Sequence, residues 1–190
     1  MYIHDCDNYI DEAIKYCLPV LHKLKSQGII KRIGCGSNVA ITHENFLDKT
    51  EIDILMVAGR YTLLDQSASN SLFSKAIEKS VEVELASPFN SGVLASGAKD
   101  KKARFDYLPV TEEVFEKVKR IEKICNSYNV SIKCAALNYS LSHPAVKRLI
   151  LGLVDPDGLH SNICDLDVKI PNNLWQDLSE LGIQNPLGGN

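Results

Sequence analysis

The sequence predicts an α/β fold: a parallel sheet covered by helices and organised as a partial (β/α)8 TIM barrel. Three observations carry this. Short apolar runs alternate with amphipathic helical segments from the first residue to the last, as parallel βαβ units require. A polar segment, glycine-bearing in all but the first case, follows each apolar run, at His4-Asp5 and at residues 34–38, 59–65, 87–92 and 155–158. Barrel enzymes place their sites at those strand ends. The chain has 190 residues, enough for one domain with a sizeable core but short of the about 250 residues of a complete barrel. A flavodoxin-like open sheet also accommodates five strands and also gathers ligands at strand ends, so the rim pattern alone is compatible with both architectures.

Taken in order, the first strand is the apolar run Tyr2–His4, which starts abruptly after Met1. Ile10, Ile14, Cys17, Leu18, Leu21 and Leu24 share one face of a helix that Gly28 ends, and Pro19 must kink that helix or start its main part. Residues 29–35 are the second strand, 42–48 a short helix, 52–57 an unbroken apolar strand, 69–79 a helix and 81–86 the fourth strand. A longer loop runs through Asn90, Gly92 and Gly97 to Pro109. Thr111 then N-caps a helix with Val114, Val118, Ile121 and Cys125 on its apolar face, and Glu112 and Glu113 suit the positive end of its dipole. Residues 131–142 are helical up to His143-Pro144, and 148–154 are the fifth strand. Residues 156–163 form a short helix and 171–181 a last one, with Leu174, Leu178 and Leu181 on one side. Apolar strands set between helices are expected to be buried on both faces, hence parallel. No repeat or low-complexity linker divides residues 1–190, which read as a single domain.

Composition removes several classes of function. The chain is 45% hydrophobic and 24% charged with a net charge of -3, ordinary values for a water-soluble protein. Basic residues are scattered (Lys23, Lys25, Lys31, Arg32; then Lys99, Lys101, Lys102, Arg104) without interleaved aromatics, so nucleic acid is not an expected partner. The run at 99–104 reads as a solvated loop. No stretch approaches the about 20 apolar residues of a membrane span, and the N-terminus lacks a signal-peptide pattern. No membrane partner and a cytoplasmic location are therefore expected. The six cysteines, Cys6, Cys17, Cys35, Cys125, Cys134 and Cys164, show no CxxC and no ligand-like spacing, which predicts reduced, mostly buried thiols rather than disulfides or zinc.

Four segments at the strand ends stand in a specific order: Tyr2-Ile3-His4-Asp5, then Gly28-Ile29-Ile30-Lys31-Arg32-Ile33-Gly34-Cys35-Gly36-Ser37-Asn38, then Arg60-Tyr61-Thr62-Leu63-Leu64-Asp65, then Ser87-Pro88-Phe89-Asn90-Ser91-Gly92-Val93-Leu94. In order and spacing they resemble the aldo-keto reductases, over essentially the whole chain. Residues 89–92, the loop Phe105-Asp106-Tyr107-Leu108-Pro109 and the ending Ile170-Pro171…Leu174-Trp175 look most like the sugar-oxidising branch. Those are NAD(P)-dependent aldose 1-dehydrogenases, acting on sugars such as fucose or galactose. The resemblance aligns this chain with barrel strands four to eight, and strands one to three have no counterpart in it. It implies NAD or NADP as cofactor and a sugar as small-molecule substrate.

The family moves a hydride between nicotinamide and a carbonyl or hydroxyl carbon, aided by an Asp, Tyr, Lys and His tetrad in which the Lys–Asp pair lowers the pKa of the acid–base Tyr. The resemblance places Asp, Tyr and Lys in the strands without counterpart and the His at His4, where it would orient and polarise the substrate oxygen. A lone His at a strand end is otherwise more often structural or solvated. Ser37 and Asn38 match the pair that hydrogen-bonds the nicotinamide carboxamide, although the same residues suit a turn or N-cap equally well. Ser87 and Asn90 would neighbour the pyrophosphate, and Asn162 matches an adenine contact. The helix starting at Pro156 offers an N-terminus to a phosphate. Ala86 stands where many relatives stack a Tyr on the nicotinamide, and Ala58 where a Gln holds its carboxamide. Asp155 and Asp157 flank the last turn, and Val154 or Gly158 replaces a basic residue common there, which favours NAD over NADP.

Two functional classes compete with each other. One is a truncated aldose 1-dehydrogenase with little activity of its own. The other is a non-catalytic half-barrel that pairs with itself or another chain through open sheet edges near Tyr2 and Leu149. An unrelated small α/β binding protein is the remaining alternative.

Overall fold

The computed structural model describes residues 1–99, 103–153 and 155–188. Strand β1 (Tyr2–His4) leads into a helix of three parts: α1 (Ile10–Glu12), a π turn (Ala13–Cys17) and α2 (Leu18–Ser26). The π turn is how the helix accommodates Pro19, which has no N–H to give. Just before it, the Leu18 N–H reaches back to the Ala13 carbonyl. The extra residue in that turn shifts the phase of the helix. Ala13, Leu18 and Leu21 are buried and Cys17 is exposed, which corrects its expected place on the apolar face.

The second strand, β2 (Gly34–Ser37), begins later than the expected 29–35. Gly28 takes φ +73° to end α2, and the amides of Ile29 and Ile30 bond the Leu24 carbonyl at 3.0 and 3.4 Å. Those amides close the helix and cannot join the ladder. Next come α3 (Ala40–Lys49), β3 (Ile54–Ala58), a 3₁₀ turn (Ser67–Ser69), α4 (Leu72–Glu78) and β4 (Glu82–Ala86). β3 starts past Asp53, whose carboxylate takes the Ile33 amide at 2.8 Å and Lys25 at 2.6 Å.

The expected long loop contains α5 (Val93–Ser96), a 3₁₀ turn (Gly97–Lys99) and an antiparallel hairpin, β5 (Arg104–Phe105) with β6 (Leu108–Pro109). The hairpin turn is Asp106-Tyr107, both left-handed at φ 47° and 66°. That geometry matches strand twist and usually takes Asn or Gly. α6 (Glu112–Ser127) and α7 (Ile132–Leu141) follow. The Thr111 and Ser131 side chains cap them, accepting from Val114 N–H at 3.3 Å and Cys134 N–H at 3.0 Å. β7 (Val146–Ile150), α8 (Pro156–Leu166) and α9 (Asn172–Ser179) complete the chain. β7 lies earlier than the expected 148–154; Val154, like Lys101 and Lys102 of the basic run, is outside the described residues. No helix among them is long and apolar enough to cross a membrane.

The sheet has the order β1-β2-β3-β4-β7, parallel throughout. Strictly sequential order contains no reversal, so the doubly wound alternative, which needs a switch point, does not apply. This is the arc of a partial (β/α)8 barrel with helices outside. On its outer face Cys35, Leu55, Val57, Val83 and Leu85 are completely buried. The inner face differs from the expected burial on both sides: Tyr2, Met56 and Glu82 are half-buried, while His4, Arg148 and Ile150 are exposed. A polar chain crosses that face. The Tyr2 hydroxyl donates to Glu84 at 2.5 Å, Arg148 bridges Glu84 and Glu82 at 3.0 Å each, and Arg32 meets Glu82 at 2.7 Å.

Gly34 is where these strands approach most tightly. A Cβ there would stand 2.6 Å from the Ile54 carbonyl oxygen and 2.7 Å from the Tyr2 ring. Gly34→Ala is therefore expected to destabilise the fold by about 2–3 kcal/mol in urea unfolding. Gly152→Ala, which meets nothing within 4 Å, should change stability by less than about 0.5 kcal/mol. Equal effects from the two would contradict the packing at β1–β3.

Candidate functional site

Because all five strands are parallel, their C-terminal ends form one rim. His4, Ser37, Asn38, Ala58, Ala86 and Ser87 meet there around a cleft of about 450 Å³. The His4 ring rests on bare backbone: a Cβ on Gly36 would lie 2.7 Å from its Cδ2. Its Nδ1 sits 2.9 Å from the Asp5 carboxylate, and the side chain keeps 57% of its surface exposed. A carboxylate at Nδ1 favours the proton on that nitrogen, which leaves Nε2 as the acceptor atom of the ring.

Ser37 is only 2% exposed. Its hydroxyl donates to Asp7 at 2.5 Å and accepts the Val39 N–H at 2.9 Å, the side-chain turn that was the alternative reading of this pair. Thr42 donates to the same Asp7 oxygen at 2.5 Å. Burial raises the Asp7 pKa, but the hydrogen bonds from Ser37 and Thr42 outweigh it and hold the carboxyl below its usual range. Beneath this group lies His43, fully buried, with Nε2 3.0 Å from the Ser37 carbonyl and Nδ1 without a partner among the described residues.

The Asn38 carbonyl accepts from Arg60 Nε at 2.7 Å, and Arg60 Nη1 pairs with Asp65 at 3.1 Å and Asp106 at 2.8 Å. Arg60 thus ties the ends of β2 and β3 to the hairpin. The hairpin in turn brings Tyr107 into the lining of the His4 cleft, with the Tyr107 amide on Ser91 Oγ at 3.0 Å. Asp7 and Tyr107 are site residues that sequence reasoning missed; Tyr107 lay in a loop used only for resemblance, and Asp7 just past the first strand. Tyr2, two residues before His4, is no substitute acid–base group. Burial, together with Glu84 accepting its hydroxyl, pushes its pKa well above the usual tyrosine range.

A second cleft of about 690 Å³ opens between the ends of β4 and β7 and shares Ala86 and Ser87 with the first. Phe89, Ile150 and Leu153 give it apolar walls, and Lys133 and Asn162 add polar groups. Asn162 is 4% exposed. The structure thus brings His4, Asn38, Ser87 and Asn162 to the same end of the sheet. Asn90 is turned elsewhere: it is 1% exposed, its Nδ2 donates to the Gly59 carbonyl at 3.2 Å, and it lines neither cleft. At the start of α8, the Asp155 carboxylate already takes the Gly158 N–H at 2.6 Å.

The family model of the aldo/keto reductase family matches residues 1–183. D-threo-aldose 1-dehydrogenase of Pseudomonas sp is 32% identical over 181 residues, 95% of this chain and 55% of that protein. Pyridoxal 4-dehydrogenase of Microbacterium luteolum is 30% identical over 163 residues, 86% of this chain and 47% of that protein. The chain thus spans about half the length of these curated relatives. An aldo-keto reductase from Bacillus halodurans in its holo form superposes with a TM-score of 0.74 at 19% identity, covering 95% of this chain and 59% of that one. An aldo/keto reductase from Klebsiella pneumoniae in complex with NADP and acetate gives 0.64 at 18% identity, over 97% and 58%.

His43, fully buried beneath the site, and His143, half-buried after α7, both have pKa values lowered from 6.5 by burial. The unfolded chain therefore binds more protons than the folded one below about pH 6.5. Their contribution to stability is fully present above that pH and is lost as pH falls toward the folded-state values. Urea unfolding between pH 7.5 and 5.5 should show stability declining on the acid side, and a rise there would contradict the lowered pKa values of these rings.

Proposed function

The chain belongs to the aldo/keto reductase family, and on that premise we propose that it carries the cofactor side of an NAD(P)-dependent aldose 1-dehydrogenase, oxidising sugars at C1. The observation that carries this reading is the pair of clefts joined at Ala86 and Ser87, with His4 at one end and Asn162 at the other. A nicotinamide cofactor, when bound, supplies the hydride acceptor. His4 Nε2 orients the substrate oxygen, and Asn38 and Ser87 bind the cofactor along the rim, with Ser37 holding the turn beside them. Asn162 meets the adenine. Ala58 and Ala86, paired across β3 and β4, leave the floor beneath the nicotinamide low. Asp5, Asp7 and Tyr107 surround His4 with acceptors suited to a polyhydroxylated substrate.

The 190 residues alone are proposed to give no more than trace turnover. Removing a proton from the sugar hydroxyl needs a group tuned toward neutrality, and general acid–base catalysis typically contributes about 10²- to 10⁴-fold. The Tyr2 hydroxyl is already committed to Glu84, and burial with that partner holds its pKa well above the usual tyrosine range. Following NAD(P)H absorbance with fucose and galactose should show only trace rates with NAD or NADP, with His4→Ala as the control. Robust turnover that His4→Ala abolishes would overturn this part of the reading.

The open edges of β1 and β7 and the half-exposed inner face favour a second reading, a non-catalytic half-barrel that associates with itself or another chain. Self-association should then appear as concentration-dependent sedimentation. A monomer at every concentration, with no sheet-completing partner, would count against it.

A further inference from the structure

Lys133 is the cation that the last βα turn lacks in sequence. It comes from α7, and it lines the second cleft together with Asn162. Its ammonium reaches across to α8, donating to Ser161 Oγ at 2.6 Å and pairing with Asp165 Oδ2 at 2.9 Å, with both partners of the ion pair about four-fifths buried at 21% and 22% exposure. Asp165 has a second, independent anchorage. Its backbone carbonyl accepts from Asn138 Nδ2 at 2.9 Å and from Cys134 Sγ at 3.2 Å, so the carboxylate is not what holds α8 in place.

The first turn of α8, which borders this cleft, carries acidic side chains. Asp155 caps α8 through the Gly158 amide, which takes that first-turn donor away from any incoming anion, and Asp157 lies in the same turn. Among the described residues Asp165 is the ionic partner of Lys133, and the first turn of the same helix carries two further carboxylates. A phosphate entering here must compete with Asp165 for the ammonium and approach Asp155 and Asp157 as well. A neutral hydroxyl meets neither obstacle.

We propose that Asp165 is a specificity-determining residue: by engaging Lys133 it leaves the cleft without a free cation among the described residues, so that a nucleotide with a ribose 2′-hydroxyl is admitted and one with a 2′-phosphate is rejected. This inference rests on the second cleft being the seat of the cofactor's adenosine half. Asp165 touches no cofactor atom in this account and acts through Lys133.

The test uses the full chain and two nucleotides, 5′-AMP and 2′,5′-ADP, titrated calorimetrically. The wild-type protein should bind 5′-AMP and discriminate against 2′,5′-ADP. Asp165→Asn should leave the 5′-AMP affinity unchanged and raise that for 2′,5′-ADP by about tenfold, as expected for releasing one ammonium toward a phosphate across a few ångströms of partly buried surface. The gain should shrink with added salt. It should vanish in the Asp165→Asn/Lys133→Met double variant, and Asp165→Glu should keep the wild-type preference. An unchanged nucleotide ratio in Asp165→Asn, with 5′-AMP still bound, overturns the role of Asp165 and leaves the cleft assignment standing. A gain that survives loss of Lys133 also overturns it. Failure of the wild-type chain to bind either nucleotide overturns the adenosine assignment itself, and the inference with it.

Discussion

Parallel strands cannot be joined by tight turns; each must be followed by a segment that travels back along the outside of the sheet before the next begins. In this chain that requirement applies to five successive strands, and it sets everything else. The outward residues Cys35, Leu55, Val57, Val83 and Leu85 must meet helices, and they are sealed from water. The segments that leave the strands must all emerge at one end, which gathers His4, Asn38, Ala58 and Ser87, and then Asn162 a little further into α8. No long-range attraction between these polar groups is needed to assemble the rim. The apolar outer face supplies the stabilisation, and the rim inherits its geometry from the ladder.

The inner face follows a different logic. Its side chains alternate with the apolar ones, and they include two glutamates and an arginine in a hydrogen-bonded row with Tyr2. Arg148 is about half exposed, and ion pairs to such a group contribute little each, so their value lies more in register than in stability. Arg148 can satisfy Glu82 and Glu84 together only when β7 is correctly aligned with β4, at the place where the pairing shifts between Val83 and Glu84. The same row removes the Tyr2 hydroxyl from any part in proton transfer, although it lies only two residues from His4.

Much of the scaffold is legible in sequence because its signals are local. Thr111 and Ser131 cap helices by contacting residues three positions on, and Gly28 ends α2 with a positive φ. What escapes is mostly what depends on distant partners, and one miss is local: the isoleucines at 29 and 30 have strand propensity, yet their amides close the helix on Leu24. Asp106 and Tyr107 form a hairpin turn whose second position usually takes glycine, held by Arg60 from another loop. The strands look fully apolar in outline, but which residues face inward appears only once the register is known. At the site, His4, Asn38, Ser87 and Asn162 could be placed from the parallel pattern and the family resemblance. Asp7, Tyr107 and Lys133 could not, because each enters through a contact about 30 residues or more away in sequence or through a turn without a clear signature. Asn90 lies in the same loop, but its Nδ2 is used on Gly59 inside the fold.

The π turn at Ala13–Cys17 has a consequence for how this chain tolerates changes in length. Such a turn is an ordinary helix with one residue inserted, and here the insertion is absorbed between two buried anchors, Ala13 and Leu18. The helix on either side still presents its apolar residues to the same core, and neither β1 nor β2 is displaced along the ladder. A one-residue gain or loss is thereby confined to a single turn. The stretch before Pro19 behaves as a slip joint: it can lengthen or shorten the crossover while the rim, and the ring of His4 above Gly36, stay where the sheet holds them.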